Sequence, residues 1–490
     1  MSQVVTVGAP VIRTESRSMT AELARMPRAF WMANLMEMLE RLAYYGVRVV
    51  IPIYIAQADE IHGLHFSQIQ KGQIFMWWAL VQTGVPVFSG GFADRYGYKK
   101  TIAISIVIKM AGYLLMATQR TYGGFMLGCL VLAFGTAIFK PGLWGTMLRT
   151  LTKENSSVGW GTFYMLVNIG GFLGPPLAHY LYGWSWPTVF YGCAVIVSLN
   201  FLMLLTYPTI GAGGVQTGGF GRVVKTTLRN LARPRLAVFI LIMSGFWLMF
   251  MQLFDMLPNF IVDWVDSRAI VQALHLPAMF TSQTPRGVMV AQEWMINVDA
   301  FLIVLLVVWV SHLVAKMRRV HSIFFGITLS SLGLLAAGFT MSGLFCILGI
   351  LCFAVGEMLA SPKMNDYLGV IAPEGEKGLY MGYANMPTAI GWAYGSFAGG
   401  QIYDTMGDKA NLAMRWLGEH KGMTQGVERT HAMETLQRVT GLDAVRATQL
   451  LWDAYHPWKL WIPFAAVGIA SAIAIWLYSL WVRKYEAADI

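Results

Sequence analysis

Charged side chains are scarce in this chain. Only 13% of its 490 residues are Asp, Glu, Lys or Arg, against 56% hydrophobic, and the mean hydropathy is +0.53. That balance excludes the soluble and disordered classes and fits a helical protein that crosses the bilayer many times. Cysteine is scarce too. Cys129, Cys193, Cys346 and Cys352 all fall in apolar runs without metal or redox spacing, so they read as packing residues and not as a disulfide framework. No Lys-Ser/Thr follows Gly170-Gly171 or Gly399-Gly400, which suits close helix packing and excludes a phosphate loop. There is no nucleophile beside a base and no cluster of metal ligands, so the chain does not read as an enzyme. The polar N-terminus, with Arg13, Arg17 and Arg25, lacks the apolar core of a cleaved signal.

What is abundant is apolar length. Runs of about 20 residues, enough to cross a bilayer, recur about twelve times. They lie near 29–56, 72–92, 101–118, 122–147, 161–183, 187–207, 237–263, 294–315, 321–341, 343–362, 379–403 and 458–482. The expected fold is therefore an all-α integral membrane protein. Lys and Arg gather in alternate loops: Arg95, Lys99 and Lys100; Arg149 and Lys153; Arg222, Lys225, Arg229, Arg233 and Arg235; Lys316, Arg318 and Arg319. These loops share one side with both termini, including Arg483 and Lys484, and the positive-inside bias makes that side the cytoplasm of a cell-membrane protein. The same bias explains the net charge of +10 without any nucleic-acid partner.

The organisation reads as an N-terminal segment 1–28, six spans over 29–207, a linker 208–236 and six spans over 237–482, with a tail 483–490. The linker is Gly-rich, then basic and amphipathic from Val223 to Leu231, and suits the inner membrane surface. Two equal halves are the plan of transporters whose site lies between repeats. Two outer segments are long: 264–293, and an insert 404–457 with helices expected at Thr430–Val439 and Leu442–Tyr455 and with Trp416 and Trp452 as anchors. The insert reads as solvated helix. Trp77, Trp78, Trp184 and Trp186, near span ends, read as interfacial belt residues, and His179 and His312 as isolated polar groups.

Against this apolar background one stretch stands out: Glu37-Met-Leu-Glu40-Arg41-Leu-Ala-Tyr44-Tyr45-Gly46-Val-Arg48, inside the first span. A charge at membrane depth costs roughly 2.5–3.5 kcal/mol on the most lenient scale, so such residues face a polar pathway. At about 100° per residue, Glu37, Arg41, Tyr44 and Arg48 share a stripe about 60° wide, flanked by Glu40 and Tyr45, and it extends about 16 Å along the axis. A Glu37–Arg41 pair at i and i+4 would leave one Glu and Arg48 unpaired. Lys140 before Pro141 in the fourth span, Asp255 in the seventh, Asp299 in the eighth and Glu357 in the tenth are the available partners. Three bases, Arg41, Arg48 and Lys140, then face four or five acids, so at least one carboxyl is expected to carry a proton, which argues for proton coupling.

These residues resemble the proton-dependent oligopeptide transporters of the major facilitator superfamily. The first-span signature is joined by Gly90-Gly-Phe-Ala-Asp94-Arg95-Tyr-Gly97-Tyr-Lys-Lys100, by Gly135-Thr-Ala-Ile-Phe-Lys140-Pro141, and by Phe163-Tyr-Met-Leu-Val-Asn168-Ile-Gly170. Gln252 after Phe246-Trp247, and Gly356-Glu357 with Ser361-Pro362, extend the resemblance to both halves. It implies two six-helix bundles working by alternating access as a proton-coupled importer of di- or tripeptides or peptide-like zwitterions. By the same resemblance Arg41, Arg48 and Lys140 would bind the substrate carboxylate, Tyr44, Asn168 and Gln252 would contact the substrate, and Glu357 would hold its amino group. Glu37, Glu40 and Arg41 would couple proton to substrate, with Asp299 and Glu357 as further proton groups. Lys140–Glu357 would form an ion pair that opens and closes, and Arg48 with Asp255 would serve as a second gating pair. No cofactor is implied beyond the proton, and the partners would be substrate, protons and lipid, with the protein a monomer.

There are departures. Met251 stands where the family carries an acid before Gln252, which takes a partner from Arg48; either Asp255 or Asp299 is positioned to substitute. Thr83 replaces a Tyr and Gly142 an Asn, so two substrate-facing side chains are smaller. A facilitator or exporter of another small organic anion or zwitterion is the alternative within transport, and a ligand-binding membrane receptor without flux the alternative outside it.

Overall fold

The computed structural model of the protein describes residues 23–86, 97–152, 155–207, 229–314, 317–372, 383–423 and 426–482, with isolated positions between them. Most of the 208–236 linker, the motif residues from Gly90 to Tyr96, and Arg13, Arg17, Lys153, Arg222, Lys316, Arg483 and Lys484 lie outside the described residues.

Long apolar runs become helices because only an intra-segment hydrogen-bond ladder satisfies the backbone in lipid. The first span is α1 (Arg28–Arg48) continued by α2 (Ile51–Ala56), and the second is α3 (Gln68–Ala79) with a π-helical turn at Leu80–Gly84. Then come α4 (Tyr98–Thr118), α5 (Tyr122–Thr150), α6 (Ser156–Tyr182), and α7 (Trp186–Ser198) with α8 (Asn200–Leu205). The seventh span is broken into α9 (Pro234–Phe250), α10 (Gln252–Asp255) and α11 (Leu257–Trp264). After a short helix α12 (Arg268–Leu274), the eighth to eleventh spans are α13 (Gln292–Val314), α14 (Arg319–Phe339), α15 (Gly343–Ile371) and α16 (Asn385–Met406). The insert folds as α17 (Lys409–Lys421), α18 (Ala432–Thr440) and α19 (Ala444–Tyr455), and α20 (Trp461–Val482) is the last span. Among the described residues, seven of these helical stretches are long and apolar enough by composition alone to cross a membrane. The first and second spans are not among them, because the first carries several charges and the α-helical ladder of the second is interrupted by its π turn.

Six spans on each side of the linker form two cores, one for each half. Small residues set the closest approaches. A Cβ on Gly170 would collide with Met38 O, and one on Gly174 would stand 2.6 Å from Gly46 N, so α6 lies backbone to backbone on α1. Across the two halves, a Cβ on Gly72 would reach within 2.5 Å of Ser396 O, which brings α3 against α16. Gly170 and Gly400 are thus packing glycines, as their sequence context suggested.

We call the face where α1 begins the near side and the opposite face the far side. The far side carries the long segments. Thr281–Thr284 (β1) pairs antiparallel with Gly287–Val290 (β2) within 264–293, closed by a turn with Gly287 at φ +112°. The insert includes a helix, α17, that the sequence pattern did not single out, and it is packed and not merely solvated: Leu417, Leu436 and Leu451 are fully buried. Trp452 is partly buried and packs on the core residues Phe260 and Trp264 of this layer, and does not stand as a membrane anchor. Two more tryptophans overturn the belt reading. Trp78 is buried and donates to Gln82 Oε1 at 2.7 Å, and buried Trp186 donates to Glu60 Oε1 at 2.9 Å, whereas Trp77 and Trp184 are exposed as expected.

Candidate functional site

A cavity of about 380 Å³ lies between the halves. Arg41, Tyr44, Arg48, Lys140 and Asn168 line it from the N-terminal half, and Asp299 and Glu357 from the C-terminal half, so seven residues named from sequence meet there. Trp144, Trp247, Phe250, Phe254 and Trp392 supply aromatic surface. Toward the near side the lining continues through Met364, Asn385 and Thr388.

The first-span stripe is neutralised largely within its own helix. Arg41 Nε lies 3.2 Å from Glu37 Oε1 and its Nη2 lies 2.5 Å from Glu40 Oε2, with the guanidinium 4.9 Å from the Tyr44 ring centroid. These are charge contacts and not well-directed hydrogen bonds. Glu37 and Glu40 are buried behind Arg41 and do not line the cavity. Tyr44 is fixed by Gln82, whose Nε2 donates to the phenol oxygen at 3.1 Å. Gln82 sits in the π-helical turn, four residues before Pro86, whose missing N–H frees the Gln82 carbonyl from the ladder. The glutamine was missed in the sequence; a polar residue beside Thr83 in an apolar span was the available signal. Asn168 lines the cavity and donates to Tyr164 O of its own helix at 2.7 Å.

Arg48 has its acid. Its Nη2 pairs with Asp255 Oδ1, Ser396 donates to the other carboxylate oxygen at 2.5 Å, and the guanidinium lies between Phe75 and Trp392, 4.5 and 5.2 Å from their centroids. Both partners stand where a helix is interrupted, Arg48 at the end of α1 and Asp255 at the end of α10. The choice left open by Met251 therefore falls to Asp255. Asp299 instead faces the cavity with Glu357, and its Oδ1 has no hydrogen-bond partner.

Several expectations are corrected. Gln252 is fully buried, donates to Leu248 O at 2.7 Å and packs against Gly395 and Gly399, so it joins spans seven and eleven and is not a cavity residue. Lys140 and Glu357 share the cavity from opposite halves, but no ion pair joins them in this conformation. Lys140 instead lies within electrostatic reach of Glu37 and Glu40. α5 is continuous through Pro141. The charge count changes as well. Lys71 and Lys109, both almost fully buried, raise the cations in and around this region to five with Arg41, Arg48 and Lys140, against Glu37, Glu40, Asp255, Asp299 and Glu357. The total surplus of negative charge disappears; what remains is local, with cations on the N-terminal wall and two acids on the C-terminal wall.

The described bonds between halves gather on the far side. Lys71 Nζ donates to Asn259 Oδ1 at 2.7 Å, Gln57 to Asp263 at 2.8 Å and Gln68 to Asp408 at 2.9 Å. From the insert, Arg429 lies 2.5 Å from Asp408 and donates across the seam to Ala56 O at 2.7 Å. His179, expected to be isolated, pairs with Glu293 of the eighth span, which also accepts from Tyr182 at 2.5 Å. The side chain of His312 lies outside the described residues.

The sequence profile described as Major Facilitator Superfamily matches residues 34–396. The chain belongs to the major facilitator superfamily. This is a family of transporters and not of enzymes, which makes the chain a multi-pass membrane protein with a small-molecule substrate. Among curated relatives, the multidrug resistance protein MdtH of Yersinia enterocolitica is 25% identical over 374 residues, 74% of this chain and 84% of that protein. The MdtH of Klebsiella pneumoniae is 23% identical over 344 residues, 69% and 78% of the two chains. Among solved structures, a POT family transporter in complex with 5-aminolevulinic acid superposes with a TM-score of 0.67 at 15% identity, over 93% of this chain and 97% of that one. The nucleoside transporter NupG gives 0.66 at 12%, over 92% and 99%. At these identities the superpositions establish the superfamily fold of twelve helices in two bundles.

Proposed function

We propose that the chain is a proton-coupled symporter of the oligopeptide-transporter type, importing di- or tripeptides or similar small zwitterions by alternating access. The observation that carries this reading is the bipolar cavity: Lys140 and Arg41 on one half, Asp299 and Glu357 on the other. Its volume lies within the usual range of small-ligand pockets, about 300–1,000 Å³. A ligand with a carboxylate at one end and an ammonium at the other would neutralise both walls and draw the halves together. Lys140, with the free edge of Arg41, takes the carboxylate; Tyr44 and Asn168 meet the backbone; Glu357 and Asp299 take the amino group. Arg48 and Asp255 act as a gate beyond the ligand, and Glu37 and Glu40 carry the proton linkage through Arg41.

The near side is the cytoplasm in this reading. The short far loops at 57–67, 119–121, 183–185 and 340–342 hold Arg120 as their one Lys or Arg, and the basic residues of the near loops outnumber it. With the far seam bonded and the cavity lining running to the near side, the conformation is then inward-facing. Reconstituted protein under an inward proton gradient should accumulate a dipeptide and lose that accumulation with a protonophore. Equal uptake with and without the gradient would refute the coupling.

A second reading has its own support. The MdtH relatives are named for multidrug resistance, and the aromatic wall of Trp144, Trp247, Phe254 and Trp392 beside two acids suits an amphipathic cation. Export under the reversed orientation of the same assay, with no dipeptide accumulation, would select it.

A further inference from the structure

Lys109 lies in the middle of α4, in the third span, and is 1% exposed. It does not line the cavity. Its Nζ stands 3.9 Å from Glu40 Oε1, has no hydrogen-bond partner, and rests 3.6 Å from the Phe139 ring centroid. An ammonium in such surroundings is costly unless it answers an opposite charge. The fold makes room for it: a Cβ on Gly135 would stand 2.6 Å from Lys109 Cγ, so the neighbouring helix keeps glycine where the lysine stem crosses.

The groups facing Glu40 come from three elements. Glu37, Arg41 and Tyr44 are on its own helix, Lys109 and Tyr113 on α4 and Lys140 on α5, while Cys193 on α7, whose thiol donates to Ala43 O, faces Tyr113. Within 4 Å, Glu40 meets two cations, Arg41 and Lys109, whereas Glu37 meets only Arg41 and keeps Oε2 without a partner. The two carboxylates of the signature are therefore not equivalent.

We propose that Lys109 is a positioning residue for proton coupling: from behind the cavity it serves as the permanent counter-ion of Glu40, so that the proton exchanged in the first span is carried by Glu37. The inference rests on the proton-coupled reading for its consequence, while the Lys109–Glu40 pairing stands by itself. With Glu40 held as the anion, Arg41 always has one partner. Protonation of Glu37 then releases one contact of Arg41, Nε to Oε1, and that freed edge turns to a substrate carboxylate.

The test uses the full chain in proteoliposomes and in detergent, with Lys109→Met, Lys109→Arg, Glu40→Gln and the double variant Lys109→Met with Glu40→Gln. For Lys109→Met, the acid limb of the uptake-versus-pH profile should move up by about one pH unit, since Glu40 now competes for the proton, while Lys109→Arg keeps the wild-type limb. Glu40→Gln alone leaves a buried unpaired ammonium, so the double variant should melt at a higher temperature than Glu40→Gln. An unmoved acid limb in Lys109→Met would overturn the positioning role. Additive melting shifts across the four proteins would overturn the pairing. Wild-type uptake that ignores the proton gradient is a different result: it refutes the function proposed above, and the melting cycle still decides the pair.

Discussion

On the N-terminal wall of the cavity Arg41 sits between Glu37 and Glu40, Arg48 meets Asp255 from the other half, and Lys109 backs Glu40; on the C-terminal wall Asp299 and Glu357 have no described ion pair or hydrogen bond. The first wall is expensive to build and internally balanced, and removing one member strands the rest. The second has no counter-ion of its own among the described residues. Lys140 resembles the second wall although it stands on the first, since it too lacks an ion pair within 4 Å. In the proposed function it is these groups without counter-ions, and not the paired groups of the first-span signature, that receive the ends of the ligand.

The largest blow to this contrast is Arg41→Ala. It strands the buried carboxylate of Glu37 and leaves Glu40 with Lys109 alone, an effect of roughly 3–5 kcal/mol for a broken buried pair. Uptake should fall at least about 100-fold, and thermal unfolding of the purified protein should shift downward. Next come Asp299→Asn and Glu357→Gln, which remove charge without stranding a partner. Both variants should melt within a few degrees of wild type while losing about 10- to 100-fold in uptake of a zwitterion, on the order of 1.4–2.7 kcal/mol. Equal loss of stability for the two walls would break the comparison. A smaller effect is expected at the far seam. Arg429→Ala removes charge-assisted bonds worth about 1.5–3 kcal/mol, so distances between spin labels at Ile61→Cys and Met279→Cys, both exposed, should gain a longer population.

The mildest prediction concerns pH. Burial pushes the Glu60 carboxyl, in the far loop, up to about 7 from 4.5. The folded state then holds the proton more tightly than the unfolded state, so this contribution is complete below pH 4.5 and is lost as pH rises through 7. Glu60→Gln should raise the melting temperature relative to wild type at pH 8, by the equivalent of about 3 kcal/mol at most, and leave it unchanged below pH 4.5.

Much of this was legible in the chain because lipid imposes long apolar helices, and the 100° arithmetic places Glu37, Arg41, Tyr44 and Arg48 on one face without any knowledge of the fold. What was not legible depends on interruptions and on distant neighbours. Asp255 reaches Arg48 because the seventh span breaks on both sides of it, and nothing in an apolar run announces two breaks. Gln252 matches the family position yet turns into the α9–α16 contact, where two glycines receive it. Lys109 is a single charge inside the expected third span, a signal that the sequence reading passed over, and Lys71 stands just before the expected second span; their partners Glu40 and Asn259 are supplied by other helices. Counting charges along the chain gave a surplus of acid, whereas the fold sorts the charges onto two walls.

The central claim, that opposite charges on the two halves receive the two ends of a zwitterion, is tested most directly by one uptake series in proteoliposomes under an inward proton gradient. A dipeptide, its N-acetyl form and its C-terminal amide would be compared in wild type and in Glu357→Gln. The dipeptide should accumulate, each capped form should fall at least about tenfold in wild type, and the N-acetyl form should be taken up equally by wild type and Glu357→Gln. Capped and free dipeptides entering at the same rate would contradict it.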